Sequence, residues 1–329
     1  MEILPGGLED WESIKVPAGS YPPSEDFPFV LVEGNLGIPS TVITRLYLSA
    51  VAMPWFLASE DANVAFVATS VILVLNPGHQ TALNTRKRLI RKGYFEPERE
   101  LRYIALLQHG SADCAKQSII WDHRRWCITY IRGVPKSSVY PYPILHHWSS
   151  SEEARLLPHV NTEDVCRELA IVYHTCESYP RNYHAWNHWH WLIDTTVSSV
   201  FRYQPGEPER RDFLLVLVDA YVDLRNWIDR HPSDYTAMHQ MCQIQTTIDH
   251  LLGAGVLTQD VAAKLPSLTP VEHCLSLLTA FPAHEALWMH LRVILGYMDE
   301  ESRSKMLNQS ISSNAHATRL LSWFSERNR

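Results

Sequence analysis

Two histidines, His184 and His188, lie four positions apart, a spacing that could chelate a metal ion from one face of a helix. Metalloproteases that use this spacing place a glutamate directly after the first histidine, where it acts as a general base. Here that position is Ala185. Since the sequence also has no trio of Asp, Cys and His at a recognisable zinc spacing, we expect no metal site and no bound cofactor in this chain.

Other catalytic signatures are also missing from the sequence. The motifs GxSxG, GxGxxG and GxxxxGK[ST] do not occur, which argues against an autonomous hydrolase and against a dinucleotide-binding or nucleotide-hydrolysing enzyme. We therefore set these classes of enzyme aside.

Composition restricts the class of partner and the compartment. The 329 residues carry a formal net charge of −7, and the basic residues form no block that would neutralise a nucleic acid backbone. The six cysteines form no CxxC pair and follow no secretory signal, which predicts reduced, buried thiols in the cytoplasm. No apolar run reaches the roughly 20 residues that a membrane span needs, and the longest, 64–75, predicts a core helix.

Apolar spacings of three and four residues predict that helices hold these side chains. The expected helices cover 41–57, 62–75, 79–92, 96–109, 118–131, 162–177, 182–199, 209–230, 234–252, 269–280, 283–298 and 314–326. No strand is predicted. Six prolines predict an irregular N-terminal arm over 1–40, a Pro/Ser/His-rich stretch predicts a loop insertion over 132–160, and one helical repeat domain is expected over 41–329.

Five segments of the chain align on a proline and on a large apolar residue six positions later. The second segment has Ala115 in place of the proline. We expect the prolines in the first turn of each second helix, where no backbone donor is needed. The predicted repeat cores lie near 76–90, 115–128, 179–193, 231–245 and 281–295.

The large residues of the repeat predict packing between helices. They are Leu83, Trp121, Trp186, Met238 and Trp288. The polar residues that follow, such as His123, Arg124 and Arg125, are expected to face a concave surface or to bond loop carbonyls. Stacked helical hairpins predict an all-α fold, a right-handed α-α superhelix in the form of a crescent-shaped solenoid.

The second and third repeats resemble the protein prenyltransferase alpha-subunit repeat, Pro-x-Asn-Tyr-x-x-Trp-x-His-Arg-Arg-x-Leu. The runs 121–126 (WDHRRW) and 181–186 (RNYHAW) carry the resemblance. The context of Asn76-Pro77, the run 84–87 (NTRK) and Trp126 is most similar to the branch called protein prenyltransferase alpha subunit repeat-containing proteins.

The resemblance implies an alpha subunit of a heterodimeric protein prenyltransferase, inactive alone. Its partner β subunit would hold the catalytic zinc, bind the isoprenoid diphosphate and activate the acceptor thiol. The enzyme would transfer an isoprenoid, expected to be geranylgeranyl rather than farnesyl, from its diphosphate to a C-terminal cysteine of a protein substrate.

Carried over residue by residue, the resemblance implies three site residues. Lys116 would contact the diphosphate, and Tyr183 and His184 would line the pocket for the diphosphate and the acceptor peptide. The chain departs from the pattern at Gln117-Ser118, in place of Asn-Tyr, and at Trp189-His190, in place of Arg-Arg.

Structural alternatives stand beside these roles. Lys116 could be a solvated surface lysine, and Tyr183 with His184 could be a packing pair between repeats. Trp121, Trp186 and Trp288 are expected to be core anchors rather than ligand platforms. The competing function is a non-catalytic helical-repeat scaffold that binds other proteins, because solenoids commonly present a face to proteins without performing chemistry.

Overall fold

The computed structural model describes residues 29–32, 35–53, 62–133, 157–310 and 315–327. Apart from two short strands, the regular elements in these ranges are helices, so the predicted all-α class is confirmed. The helices are α1 (Ser40–Ala52), α2 (Ala62–Leu75), α3 (Gln80–Arg91), α4 (Pro97–Gly110), α5 (Ala112–Ala115), α6 (Ser118–Arg132), α7 (Thr162–Ser178), α8 (Tyr183–Val200), α9 (Pro208–Arg230), α10 (Tyr235–Gly253), α11 (Gln259–Ala262), α12 (Pro270–Ala280), α13 (Glu285–Gly296), α14 (Glu300–Ser310) and α15 (Ala315–Arg327).

The two strands correct the prediction that the chain has none. Strands β1 (Val30–Val32) and β2 (Asn35–Gly37) pair antiparallel, with Leu31 opposite Leu36. They lie in the stretch predicted to be an irregular arm over 1–40, of which 1–28 and 33–34 fall outside the described residues. Three residues per strand are too few for an alternating pattern to be visible in the sequence.

The end of the predicted insertion over 132–160 is packed rather than exposed. Leu157 and Val160 are buried, and the Arg202 guanidinium donates hydrogen bonds to the carbonyls of Leu157 and Pro158, both at 3.1 Å. The stretch 134–156 lies outside the described residues.

The repeat prolines lie before the second helices, which corrects their predicted place in the first turn. Pro77, Pro232 and Pro282 each occupy the second position of a four-residue turn. The N–H of the fourth residue donates to the carbonyl of the first, at N–O distances of 3.1, 2.9 and 3.2 Å respectively. The fixed φ of proline suits this position of a turn, and each helix begins one residue after the turn closes.

The chain divides into two compact units. The first comprises the described residues up to Gly133 together with Ala170–His188, and the second comprises the described residues of 134–169 together with those from Trp189 onward. In the first unit, α2 packs on α1 and α3, and α4 packs on α6. In the second, α10 packs on α9 and α13, and α12 packs on α13.

Candidate functional site

The carbonyl of Ala115 joins the second and third repeats within the first unit. It accepts a hydrogen bond from the indole Nε1 of Trp121 at 2.8 Å and another from the amide Nδ2 of Asn182 at 2.9 Å. Ala115 and both donors are buried, so water does not compete for these bonds. The turn after α5 is therefore fixed against the start of α8.

Lys116 directly follows Ala115 and is the C-cap of α5. Its side chain is 43% exposed, and its Nζ pairs with a carboxylate oxygen of Asp113 at 2.5 Å. The hydrogen bond and the negative charge of Asp113 raise the pKa of the Lys116 ammonium. Lys116 is therefore a protonated, accessible cation whose present partner is an exposed carboxylate.

Tyr183 and His184 are the first two residues of α8, and Asn182 is its N-cap. The Asn182 Oδ1 accepts hydrogen bonds from the backbone N–H groups of His184 and Ala185, both at 3.1 Å. The Tyr183 side chain is the more accessible of the pair, with the residue 66% exposed, and its ring meets the His184 ring edge to face at 5.5 Å. The Asn182 side chain thus supplies both the cap of α8 and the hydrogen bond to Ala115 of the second repeat.

One hydrogen bond therefore connects the immediate neighbours of the predicted site residues. Ala115 precedes Lys116, Asn182 precedes Tyr183, and the two neighbours are bonded to each other. A protonated lysine and the positive end of a helix dipole both favour an anion. The chain can offer such a ligand a cation, a phenol and an imidazole from two adjoining repeat turns.

The two histidines His184 and His188 have different surroundings. His188 is buried, with its ring 5.1 Å from that of Trp121, whereas His184 is half-buried. Among the residues that the structure describes, no three His, Cys, Asp or Glu side chains are grouped so that they could hold a metal ion.

The three predicted tryptophan anchors are buried, and two of them, Trp121 and Trp288, make the same hydrogen bond. Trp121 and Trp186 are completely buried, and Trp288 is nearly so. The indole of Trp288 donates to the carbonyl of Pro282 at 2.8 Å, as Trp121 does to Ala115, and in both repeats the acceptor lies six residues before the tryptophan. The proline position of the repeat thus supplies the acceptor that a buried indole N–H needs.

Three polar residues that follow Trp121 have different surroundings. His123 and Arg124 are buried, and the Arg124 guanidinium donates at 3.2 Å to the carbonyl of Leu101, which lies within helix α4 and not in a loop as expected. Arg125 pairs with the exposed carboxylate of Asp122 at 2.5 Å.

Glu100 is the residue that the sequence analysis missed. It is buried, receives hydrogen bonds from Arg86 Nε at 2.8 and 2.9 Å and from Arg86 Nη2 at 2.6 Å, and contacts His123 Nε2 at 2.8 Å. Burial by itself raises its pKa, but the Arg86 charge and the His123 hydrogen bond outweigh burial and hold that pKa at about 2. Glu100 lies four and seven residues before buried Ile104 and Leu107, so its place on the apolar stripe was the available signal.

The prediction of six buried thiols is wrong for two cysteines, Cys166 and Cys242. All six are free, but Cys166 on α7 is exposed, whereas Cys114, Cys127, Cys176 and Cys274 are buried and Cys242 is partly accessible.

None of the described helices is both long and apolar enough to cross a membrane.

Comparison with known proteins supports the repeat assignment. The family model of the protein prenyltransferase alpha subunit repeat matches residues 165–196, which begin in α7 and end in α8. The chain is 25% identical over 319 residues to human protein prenyltransferase alpha subunit repeat-containing protein 1, covering 86% of this chain and 72% of the relative. The protein of the same name from Danio rerio is 25% identical over 317 residues, covering 85% and 66%. Protein prenyltransferase alpha subunit repeat-containing protein 1-B from Xenopus laevis is 25% identical over 326 residues, covering 88% and 68%. The resemblance inferred from the sequence is thereby confirmed.

Proposed function

We propose that this chain, which carries the protein prenyltransferase alpha subunit repeat, works as the alpha-type subunit of a heterodimeric protein prenyltransferase. The observation that carries the proposal is the Asn182–Ala115 hydrogen bond at 2.9 Å, which joins the turn of Lys116 to the turn of Tyr183 and His184. Lys116 comes directly after Ala115, and Tyr183 and His184 come directly after Asn182, so the hydrogen bond joins the neighbours of all three residues that the family resemblance selects. Lys116 and Tyr183 are nevertheless 67 residues apart in the chain.

In this proposal the chain binds and orients the departing diphosphate rather than activating the thiol. The Lys116 ammonium supplies a fixed positive charge, and a preorganised donor stabilises charge that develops on a leaving group. Zinc on the partner β subunit would lower the pKa of the acceptor cysteine so that it reacts as a thiolate. Tyr183 and His184 supply further hydrogen-bonding groups for the diphosphate and the acceptor peptide.

The exposure of these side chains supports a role in ligand binding. Tyr183 is 66% exposed, so a packing role between repeats does not account for it. The Lys116 side chain is 43% exposed, which suits a ligand contact and equally suits a solvated surface lysine. A geranylgeranyl donor and a cytoplasmic location, both expected from the sequence, are part of this proposal.

The test is co-expression with candidate prenyltransferase β subunits, followed by size-exclusion chromatography and a transfer assay. The assay uses geranylgeranyl or farnesyl diphosphate and a protein acceptor that ends in a cysteine-containing tail. We expect a stable heterodimer whose transfer rate falls at least tenfold in Lys116→Ala and in His184→Ala. Failure of every β subunit to bind would overturn the proposal and leave the non-catalytic scaffold as the function.

Matched variants separate a local role from a general loss of charge or hydroxyl groups. Lys264 is an exposed lysine of the second unit, so Lys264→Ala controls for Lys116→Ala. Tyr183→Phe, which removes the proposed hydroxyl contact, should also lower the transfer rate. Tyr235 begins α10 as Tyr183 begins α8 and is 60% exposed, so Tyr235→Phe is its control. Equal losses of transfer in a variant and its control would argue against the assigned site.

A further inference from the structure

The second unit contains a cavity of about 560 Å³ formed by α10, the start of α12, α13 and α14. This volume lies in the range of about 300–1,000 Å³ that is typical of small-molecule sites. Its wall combines aliphatic and thioether side chains, chiefly those of Met241, Val271, Val293, Ile294, Met298 and Met306, with polar ones, among them Gln245, Thr246, His250 and Thr269.

Methionine is concentrated at this cavity. Three of the seven methionines of the chain, Met241, Met298 and Met306, line it. The unbranched, polarisable methionine side chain adapts its shape to what it contacts, which makes it common at sites that accept flexible apolar ligands. The cavity can therefore enclose a hydrocarbon chain without demanding one rigid shape.

Among the polar side chains of the wall, Cys242 and His290 form a hydrogen-bonded pair. The thiol of Cys242 lies 3.3 Å from Nδ1 of His290, and both residues line the cavity. Burial raises the pKa of Cys242 to about 12 and, together with the nearby His273, lowers the pKa of His290 to about 4. At neutral pH the pair is therefore an uncharged hydrogen-bonding group, not a thiolate–imidazolium pair.

The carboxylate of Asp249 disfavours an anionic ligand in this cavity. Asp249 lines the cavity, and its carboxylate accepts a hydrogen bond from Gln245 Nε2 at 2.8 Å. No lysine or arginine is among the described residues that line the cavity, and the imidazole of His250 interacts electrostatically with the carboxylate of Asp249. The wall therefore offers no permanent positive charge to a phosphate or a carboxylate head group.

We propose that this cavity binds an uncharged small molecule with a long hydrocarbon body and one hydrogen-bonding group, such as an aliphatic or isoprenoid alcohol. The hydroxyl meets Cys242 and His290, and the hydrocarbon lies against the methionine, valine and isoleucine side chains. This site goes beyond the proposed transferase function, because an anionic isoprenoid diphosphate is the kind of ligand that it excludes.

The first test uses the protein without any substitution. The full chain is treated with N-ethylmaleimide, and the modification of each cysteine is followed by peptide mass spectrometry. We expect 1-decanol to slow the modification of Cys242 at least fivefold, while exposed Cys166 reacts at an unchanged rate. Decyl phosphate, which has the same chain and an anionic head, should protect neither thiol. Unchanged modification of Cys242 in 1-decanol, or equal protection by decyl phosphate, would overturn the proposal.

The second test fills the cavity. Nile red, an uncharged fluorophore, should bind the chain saturably and be displaced by 1-decanol. Val293→Trp should weaken its binding at least tenfold, because the indole occupies the cavity. Met289→Trp is the control, since Met289 is exposed one turn earlier on α13 and does not line the cavity. Nile red binding by Val293→Trp equal to that of the wild type would contradict the site.

Discussion

The side-chain amide of Asn182 donates to the backbone carbonyl of Ala115 at 2.9 Å, across 67 positions of the chain. The same side chain caps α8 through its Oδ1, and the same carbonyl accepts the indole of Trp121. The Asn and Trp positions of the repeat therefore have a structural meaning: the asparagine of one repeat and the tryptophan of the previous repeat converge on one carbonyl.

Replacement of Asn182 should separate its two roles. Asn182→Ala loses the helix cap, worth about 1 kcal/mol, and a buried hydrogen bond whose loss costs about 1–3 kcal/mol. Asn182→Ser retains a capping hydroxyl but is too short to reach Ala115, so it should lose only the second contribution. Urea denaturation measures both, and Asn187→Ala, exposed on the same helix, should change the free energy of unfolding little. Wild-type stability of Asn182→Ser would show that the bond to Ala115 contributes nothing.

Removal of the buried negative charge of Glu100 should destabilise the first unit strongly. Glu100→Gln leaves the Arg86 guanidinium buried without its counter-charge, and breaking such a pair costs about 3–5 kcal/mol. Arg86 also donates to the hydroxyl oxygens of Thr69 at 3.0 Å and Ser70 at 2.9 Å, but these neutral acceptors cannot replace the charge of a carboxylate. The measurement is the free energy of unfolding at pH 7.

The exposed pair of Arg211 and Asp260, which lie 2.7 Å apart, is the matched control for this variant. Both side chains are largely open to solvent, and an exposed ion pair contributes little to stability. Asp260→Asn should therefore unfold almost as the wild type does. Similar losses in Glu100→Gln and Asp260→Asn would contradict the importance of burial.

The same carboxyl should make stability depend on pH in a defined window. The pKa of Glu100 is about 2 in the folded chain against an ordinary value of 4.5, so the unfolded chain takes up the proton first as pH falls. The stabilisation from the ionised carboxylate is complete above 4.5 and is lost progressively as pH falls towards 2. The difference in unfolding free energy between wild type and Glu100→Gln should therefore narrow across this window. A constant difference would mean that Glu100 keeps an ordinary pKa.

The longer helices were predictable because apolar residues recur in them at spacings of three and four. The residues at which the helices end were not predictable. The predicted helix over 41–57 ends at Ala52, since Met53 precedes Pro54 and adopts an extended conformation that a following proline favours. Helix α14 was not predicted, because its sequence EESRSKMLNQS is almost entirely polar and has no apolar period. Short α5 and α11 were missed because four residues cannot show a helical period.

The site was only partly predictable, for a related reason. Lys116, Tyr183 and His184 could be identified from the repeat pattern, because the pattern specifies positions along the chain. The contact between Asn182 and Ala115, and the pairing of Arg86 with Glu100, depend on which helix faces which, and local periodicity does not contain that information. The turn of the third repeat also departs from the others, since Arg181 has a positive φ of 59° that its residue type does not predict.

The ion pair between Lys116 and Asp113 should limit the affinity for a diphosphate if Lys116 has its proposed role. Asp113→Asn removes the negative charge that competes with the ligand, so the KM for the isoprenoid diphosphate should fall several-fold in the heterodimer while kcat changes little. Since the effect acts through Lys116, it should vanish in the Lys116→Ala background. Asp122→Asn is the control, because Asp122 pairs with Arg125 at the same spacing and the same distance of 2.5 Å. A lower KM in both Asp113→Asn and Asp122→Asn would indicate a general effect of net charge, and persistence of the effect without Lys116 would remove that residue from the diphosphate site.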